Sequence, residues 1–451
     1  MHKKFVAFAF LFFVSLVGTP TMADVGYSLA RSLFFRLTTM LTKSDSQQEA
    51  QPSHDKQNLP AQQNLAPLKT KEISQPMNGV KSLFNYIATK IKFTENLFDE
   101  KIVFRRPLVD IHGLAQRLLD KKIVDSFDPS KTVVMDSHHR IHFGQGLRTG
   151  ESNVTSESIA ASAEAIADFH SFADSRNTPF LCVQVPGKIN PHSDDMPIGV
   201  SDNYYVRRND ALKRLREKKI PVMDLNDEVL NDQLDWYSLH YRTDHHWTIE
   251  TAFWAHVKVI EKLNAEHHLD LDPDETHRNL QNYDRFFHPL SFLGSTGRQV
   301  GRYYAGVDDF SYYLPHFDTQ IDVSILRNNG LREEKSGTFF DAIVDTHSIK
   351  DPTPLGRKIS RNRYTVYFGN DHPLVQIFNA QGNRRILMIQ DSHGLPFSAF
   401  LALSAQEIDI IDLRYFPGSI RDFISQKKYD MILMLGGDIF SMRELMERLY
   451  K

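Results

Sequence analysis

The most regular hydrophobic pattern of the chain lies near its end, where apolar runs alternate with helical stretches. Residues 385–389, 408–413 and 429–435 are apolar runs of strand length, and residues 396–405 and 419–426 have helical character. Strands buried on both faces of a parallel sheet are apolar along their whole length, and helices connect them. The pattern therefore predicts βαβ units and an α/β fold with a mostly parallel sheet.

Similar but less regular signals occur earlier in the chain. Residues 180–185 and 220–224 resemble strands, and residues 158–172, 210–217 and 248–263 resemble helices. We also expect helices at 80–97 and 111–119 and short strands at 132–135 and 140–143. Ligands of open parallel sheets bind at the carboxyl ends of strands, so polar residues just after strands are the first candidates for a site.

Two polar segments contain the three groups needed to activate a hydroxyl for attack on an ester carbonyl. Asp244 lies two residues before His246, so the two side chains share a face of an extended segment. Ser392 follows the apolar run 385–389. An imidazole can take the proton of a serine hydroxyl, and a carboxylate can orient that imidazole. The pattern predicts acyl-transfer chemistry with Ser392 as nucleophile, His246 as base and Asp244 as orienting acid.

Other interpretations of these segments remain open. Asp244, His245 and His246 together also suit zinc, although adjacent side chains on a strand or helix point apart and would rarely bind one ion. A metal hydrolase is thus an alternative. Ser392 alone is equally typical of a turn or a helix N-cap.

The composition limits the other functions that the chain could have. Its 451 residues carry a formal net charge of −3, which gives no electrostatic basis for binding nucleic acid. Its hydrophobic fraction of 41% is enough for a sizeable core. The single cysteine, Cys182, excludes an internal disulfide framework and lies in an apolar run, so we expect a buried thiol. No Cys–His array for structural zinc is present, and we predict no metal and no other cofactor.

The amino-terminal segment is typical of an exported protein. Basic residues precede a short apolar stretch at 5–17, and small residues follow at 21–23. We predict that residues 1–23 are a signal peptide or an anchor. The protein would then be periplasmic, extracellular or membrane-anchored at the cell surface.

Residues 24–79 differ in composition from the rest of the chain. Leucines at helical spacing in 25–41 predict an amphipathic helix that could rest on a membrane surface. Residues 42–76 are rich in Gln, Ser and Pro and have no aromatic residue, which predicts a disordered linker. The folded domain is therefore expected to cover residues 80–451.

Several spaced motifs resemble a known group of proteins. The segments 244–248, 391–394 and 412–415 resemble the SGNH hydrolase-like domain of the alginate O-acetyltransferase type. The string Asp-His-His-Trp at 244–247 also resembles the bacterial DHHW protein family. Intermediate segments fit as well, at 185–188, 292–295 and 367–370.

The resemblance implies a three-layer α/β/α fold and a Ser-His-Asp site. Matched motif by motif, Asp244 and His246 correspond to the acid and the base, and Ser392 to the nucleophile. Gln390 departs from the Gly that SGNH esterases usually have two residues before the serine. The chain order Asp, His, Ser also differs from ordinary SGNH hydrolases, but different chain orders give the same geometry.

The resemblance also implies an activity and partners. We expect an exported O-acetyltransferase that acts on a cell-surface or extracellular polysaccharide, with an acetyl donor delivered by a membrane acetyltransferase partner. Candidates for oxyanion or substrate contacts are Gly369, Asn370, Arg414 and Tyr415. For Gly369 and Asn370 the competing interpretation is a turn, and for Arg414 it is a solvated charge or a buried ion pair.

Two further functions compete with the transferase. A carbohydrate acetylesterase would use the same triad, because transfer and hydrolysis share a covalent intermediate. A non-catalytic module that binds polysaccharide or scaffolds a secretion complex would need no triad at all, and the 31 Phe and 16 Tyr residues could partly serve sugar stacking.

Limited proteolysis tests the predicted linker. Disordered segments are the preferred sites of cleavage, so we expect the first cuts within residues 42–76 and a stable fragment that begins near residue 80. Mass spectrometry of the fragments locates the cuts. Resistance of this segment, with first cuts inside the later domain, would contradict the linker.

Overall fold

The computed structural model describes residues 105–126, 128, 131–144, 147, 154–201, 203–351, 358–437 and 446–450. The chain divides into two units between Leu108 and Val109, and the fold described here is that of the second. The predicted signal segment, amphipathic helix, linker and 80–97 helix lie outside the described residues. The domain boundary at residue 80 therefore stays a prediction.

An eight-stranded sheet forms the centre of the domain. Its strands, in chain order, are β4 (Phe180–Gln184), β5 (Val222–Asp224), β8 (Ile321–Leu326), β9 (Arg332–Gly337), β10 (Leu374–Asn379), β11 (Arg385–Gln390), β12 (Glu407–Ile411) and β13 (Met431–Gly436). They are arranged in the order β5-β4-β13-β11-β12-β10-β8-β9. The first five strands of that order pair in parallel, and β10, β8 and β9 extend the sheet by antiparallel pairing.

Helices cover both faces of this sheet. Along β11, Ile386 and Met388 face one hydrophobic core, and Leu387 and Ile389 face the other. The helices that pack against the sheet are α2 (Ser156–Ser175), α3 (Asn203–Glu217), α5 (Ile249–His267), α10 (Gly394–Leu401) and α11 (Ile420–Ser425). Helices α5 and α10 contribute to the first core, whereas α2, α3 and α11 contribute to the second. The predicted three-layer α/β/α fold is confirmed.

Shorter elements complete the described part of the chain. The helices are α1 (Arg105–Leu118), α4 (Leu225–Asn231), α6 (Gly297–Val300), α7 (Arg302–Ala305), α8 (Phe339–Ile343) and α9 (Thr346–Ile349). Strands β1 (Ile123–Val124), β2 (Val133–Met135) and β3 (Ile141–Phe143) form a small antiparallel sheet, and β6 (Tyr283–Phe292) pairs with β7 (Asp308–Pro315). The two short strands predicted around residues 132–143 are confirmed, but they belong to this small sheet.

Other differences from the expected elements have local causes. Helix α10 begins at Gly394 rather than residue 396, directly after the turn that contains Ser392. Helix α5 begins after Thr248, whose side chain accepts a hydrogen bond from the Thr251 N–H and caps the helix.

Cys182 is buried in β4, and burial raises the pKa of its thiol, as expected for an unreactive core residue.

In the part of the chain that the structure describes, no helix combines the length and the apolar character that a membrane span requires.

Candidate active site

Ser392 lies in a tight turn between strand β11 and helix α10. The Asp391 carboxylate holds this turn, because it accepts hydrogen bonds from the His393 N–H (2.9 Å) and from the Gly437 N–H after β13 (2.9 Å). The Gly394 N–H donates to the Asp391 carbonyl (3.0 Å). The serine is thus placed at the carboxyl end of a central strand, as the sequence predicts.

Asp244 and His246 lie on a loop that precedes helix α5. An antiparallel bridge between His240 and Trp247 closes the loop, and the Tyr241 N–H donates to the His246 carbonyl (3.3 Å). Inside it, the Thr243 hydroxyl donates to the Asp308 carboxylate (2.6 Å). We call residues 240–247 the acid–base loop.

The structure brings the three predicted side chains together. His246 Nε2 lies 2.8 Å from Ser392 Oγ, and His246 Nδ1 lies 2.5 Å from Asp244 Oδ1. Both distances are in hydrogen-bond range. The arrangement can move a proton from a hydroxyl to an imidazole that a carboxylate orients.

The Asp244 carboxylate is fully buried and held by several N–H groups. Its Oδ1 also accepts the His246 N–H (3.0 Å), and its Oδ2 accepts the Ser295 N–H (2.5 Å). Burial alone would raise the pKa of Asp244, but His246, His245 and these hydrogen bonds outweigh it and hold the pKa well below its usual range. Asp244 is therefore ionised at neutral pH.

The imidazole of His246 is enclosed by other rings. The Tyr364 ring stacks on it at 4.0 Å between centroids and 13° between planes, and the His245 ring lies 3.8 Å from it on a tilt. Burial lowers the pKa of His246, and the attraction of Asp244 only partly opposes that shift. His246 is therefore mainly neutral at pH 7, which is the form that accepts a proton.

The candidates for an oxyanion site differ in their geometry. Among the described residues, no protein group accepts a hydrogen bond from the Ser392 N–H. A group that stabilises a developing oxyanion must be free in this way to donate to it. The Gly369 N–H already donates to the Thr365 carbonyl (3.0 Å), and Gly369 has a positive φ of 82° in a turn. Asn370 is exposed. The geometry thus favours the Ser392 N–H as the oxyanion donor, and it favours the interpretation of Gly369 as a turn residue.

Arg414 and Tyr415 follow strand β12, as predicted, but the arginine is already paired. Its Nη2 lies 2.6 Å from Asp412 Oδ2 and 3.0 Å from Asp371 Oδ2. The Arg414 guanidinium also lies over the Tyr415 ring, 5.3 Å from its centroid. Burial raises the pKa of Asp371 to about 6, although Arg414 opposes the shift. Arg414 is thus ion-paired, but the residue is exposed, so the pair is not a buried one.

The His245 ring lies beside the His246 ring and is not one of the three predicted catalytic side chains. Its Nδ1 lies 2.8 Å from Ser295 Oγ, and about two-fifths of its side chain is exposed. Asp244, His245 and His246 offer potential ligand atoms within 4.8 Å of one another. However, both ring nitrogens of His246 already contact triad partners, so a metal ion would have to displace one of them.

Sequence reasoning missed three residues that shape the site, although each lies in a segment noticed earlier. His393 Nδ1 lies 3.0 Å from the Asp391 carboxylate, so a second Asp–His pair flanks the serine. Burial would lower the pKa of His393, but Asp391 outweighs it and raises the pKa. Ser295 supplies an N–H to Asp244, and Lys188 contacts the acid–base loop through its Nζ. The spacing of this second Asp–His pair is the same signal as that of the first pair, in the acid–base loop, whereas the contacts of Ser295 and Lys188 join residues distant in the chain and have no local signal.

Comparisons with known proteins show what the chain is similar to. The sequence model of the SGNH hydrolase-like domain of the acetyltransferase AlgX matches residues 147–284, a stretch that includes Asp244 and His246 but not Ser392. No curated protein sequence matches the chain.

Two solved structures share the fold. PatB1 from Bacillus cereus, solved with a sulfonyl adduct, is 18% identical, with a TM-score of 0.56, and the match covers 72% of this chain and 98% of that chain. A DHHW family protein from Eubacterium siraeum is 19% identical, with a TM-score of 0.52, and the match covers 73% and 96%. The resemblance to the SGNH hydrolase-like domain and to the DHHW proteins is confirmed. Residues 147–284 are thus similar to the SGNH hydrolase-like domain, and the chain shares the fold of PatB1 and of the DHHW family protein.

Substitution of Gly294 by alanine tests how closely Asp244 is packed. A Cβ at position 294 would lie 2.3 Å from the Asp244 Cβ and 2.5 Å from its Oδ2, so Asp244 would have to move. We expect Gly294→Ala to lower kcat for an acetyl ester about 100-fold and stability by about 1–3 kcal/mol. Ester turnover and urea unfolding measure the two effects.

Gly330→Ala is the matched control. Gly330 lies in the β8–β9 turn with a φ of 82°, and no atom lies within 4 Å of its added Cβ. It should lose some stability through backbone strain but keep its kcat. Equal kcat values for the two variants would contradict the close packing at Asp244.

Proposed function

We propose that the protein is an O-acetyltransferase that transfers acetyl groups to hydroxyls of a polysaccharide through an acetyl-serine intermediate on Ser392. The observation that carries the proposal is the unbroken chain of contacts from Asp244 through His246 to Ser392, at 2.5 and 2.8 Å. The family match to the SGNH hydrolase-like domain of the acetyltransferase AlgX supports acetyl as the transferred group.

The first half of the reaction loads the serine. His246 Nε2 takes the proton of Ser392 Oγ as this oxygen attacks the carbonyl carbon of an acetyl ester, and the Asp244 carboxylate stabilises the resulting imidazolium. The Ser392 N–H stabilises the oxyanion. The tetrahedral intermediate then collapses, the bond to the leaving oxygen breaks, and His246 returns its proton to that oxygen.

The second half of the reaction runs these steps in the opposite direction, with a sugar hydroxyl in place of the leaving alcohol. A sugar hydroxyl gives its proton to His246 Nε2 and attacks the acetyl-serine carbonyl. Collapse of the second intermediate breaks the ester to Ser392 Oγ, which recovers the proton from His246. If water takes the place of the sugar hydroxyl, the same steps hydrolyse the ester, so a carbohydrate acetylesterase is the second candidate.

Export and partners complete the proposal. The basic and apolar pattern of residues 1–23 supports export to the cell envelope. A polysaccharide acceptor is outside the cytoplasm in that case, and cytoplasmic acetyl donors do not reach it unaided. We therefore propose that a membrane acetyltransferase partner delivers the acetyl group.

Mass spectrometry of the intact protein tests the nucleophile. We expect incubation with 4-nitrophenyl acetate to add one acetyl group to Ser392, and a sulfonyl fluoride to label the same residue. Ser392→Ala should abolish both adducts and lower kcat by at least about 1000-fold, because the nucleophile is removed. Ser171→Ala, an exposed serine on α2, is the matched control.

The same assay separates the competing functions. Loss of activity after treatment with a chelator would favour the metal hydrolase. Full ester turnover by Ser392→Ala would refute the acyl-serine mechanism, and an absence of turnover and adduct in the wild type would favour the binding module. Acetyl transfer to an added oligosaccharide, compared with release of free acetate, distinguishes the transferase from the esterase.

The pH dependence of turnover tests the role of His246. Burial lowers the pKa of His246 from its ordinary value of 6.5, and Asp244 only partly opposes this. Because the base must be neutral, kcat/KM should be constant near pH 7 and fall as the pH drops through an apparent pKa below 6.5. The profile with 4-nitrophenyl acetate measures it. An acidic limb centred above 6.5 would contradict this assignment.

A further inference from the structure

Lys188 is partly buried against the acid–base loop, and all of its hydrogen-bond donors are in use. Its Nζ lies 2.7 Å from the Ile141 carbonyl, 3.0 Å from the Arg242 carbonyl and 2.6 Å from the Asp244 carbonyl. A lysine ammonium has three N–H donors. Each carbonyl therefore takes one donor, and none remains for solvent.

These contacts join two parts of the fold. Ile141 is the first residue of β3 in the small sheet, whereas Arg242 and Asp244 belong to the acid–base loop. The Ile141 N–H also donates to the Arg242 carbonyl (3.1 Å). The small sheet is thus attached to the loop at the residue that orients the base.

The base of the Lys188 side chain is itself held firmly. The preceding Gly187 N–H donates to the Asn226 side chain (3.1 Å), and the Trp236 indole N–H donates to the Gly187 carbonyl (3.0 Å). A guanidinium N–H of Arg140 donates to the Lys188 carbonyl. The ammonium therefore extends from a fixed segment toward the loop.

From this geometry we infer that Lys188 is a positioning residue of the proposed acyl-transfer reaction, which fixes Asp244 against His246 by binding the backbone of the acid–base loop. The inference rests on the proposed function and assigns a role to the 185–188 segment and to the small sheet. Lys188 does not touch the reacting atoms and acts only through Asp244.

The cost of burying this charge argues against a purely structural role. Among the described residues no carboxylate lies within ion-pair distance of Lys188 Nζ. Burial and, to a smaller extent, the charge of Arg140 lower the pKa of Lys188 to about 7, although the carboxylates of Asp308, Asp244 and Asp136 oppose the shift. An apolar side chain would fill such a space at less cost, but it would remove one donor from each of the three carbonyls.

Lys188→Met in the full chain tests the inference. Methionine has a similar length but no donor, so the loop carbonyls lose their anchor and Asp244 can shift. A misplacement of about 1 Å costs about 100-fold in rate. We expect kcat for 4-nitrophenyl acetate to fall about 100-fold while KM changes less than about twofold, because substrate binding is not affected.

A spectroscopic signature reports the geometry without any turnover. The proton between His246 Nδ1 and Asp244 Oδ1 should give a far-downfield proton resonance in the wild type because the contact is short. This resonance should weaken or move upfield in Lys188→Met. It should persist in Ser392→Ala, so a failure of the acyl-serine mechanism and a failure of the Lys188 inference give different results.

Lys213→Met is the matched control, because Lys213 is an exposed lysine on α3 that pairs with Glu217. It should keep both kcat and the resonance. If Lys188→Met does not fold, Lys188→Gln, whose shorter amide has fewer donors and no charge, takes its place with the same readouts. A folded variant with wild-type kcat and an unchanged resonance overturns the inference. If neither variant folds, Lys188 serves the fold alone, and the inference is equally overturned.

Discussion

The buried negative charge of Asp244 is the constraint around which the site is built. A carboxylate without solvent must be matched by N–H groups or positive charge, or it becomes protonated. His246 and the Ser295 N–H supply that match to its oxygens, and Gly294 lacks a side chain where the carboxylate needs the space. The segment after β6 is therefore as much a part of the site as the acid–base loop.

The site is assembled from two segments of the chain that are held in place by different kinds of contact. Ser392 follows a central strand that pairs in parallel on both sides, so the sheet itself fixes its position. The acid–base loop has no such strand beneath it and depends on side-chain contacts to Asp308, Tyr364 and Lys188. Trp247 links the two parts, since its indole N–H contacts both the Tyr364 hydroxyl and the His393 carbonyl at 3.0 Å.

The sequence predicted the parallel half of the sheet and the proximity of Asp244, His246 and Ser392, because both have local signals. Continuous apolar runs indicate strands such as β11 and β13, and the spacing of Asp244 and His246 indicates a shared face. The antiparallel half was missed for a physical reason: β9 is an edge strand with four charged residues among its six, Arg332–Gly337, and none of them is buried. The contacts of Lys188 depend on residues distant in the chain, which a local pattern does not contain, whereas the second Asp–His pair has the same two-residue spacing as the first and was overlooked.

The rings around His246 have a consequence for the order of events. The Tyr364 ring stacks on the imidazole and the His245 ring lies 3.8 Å from it, so these contacts restrict its rotation, and its Nδ1 is committed to Asp244. On the proposed mechanism, a single nitrogen must then serve every proton transfer. Donor and acceptor alcohols therefore share one entrance and use it in turn, so the leaving alcohol must vacate the site before the sugar arrives.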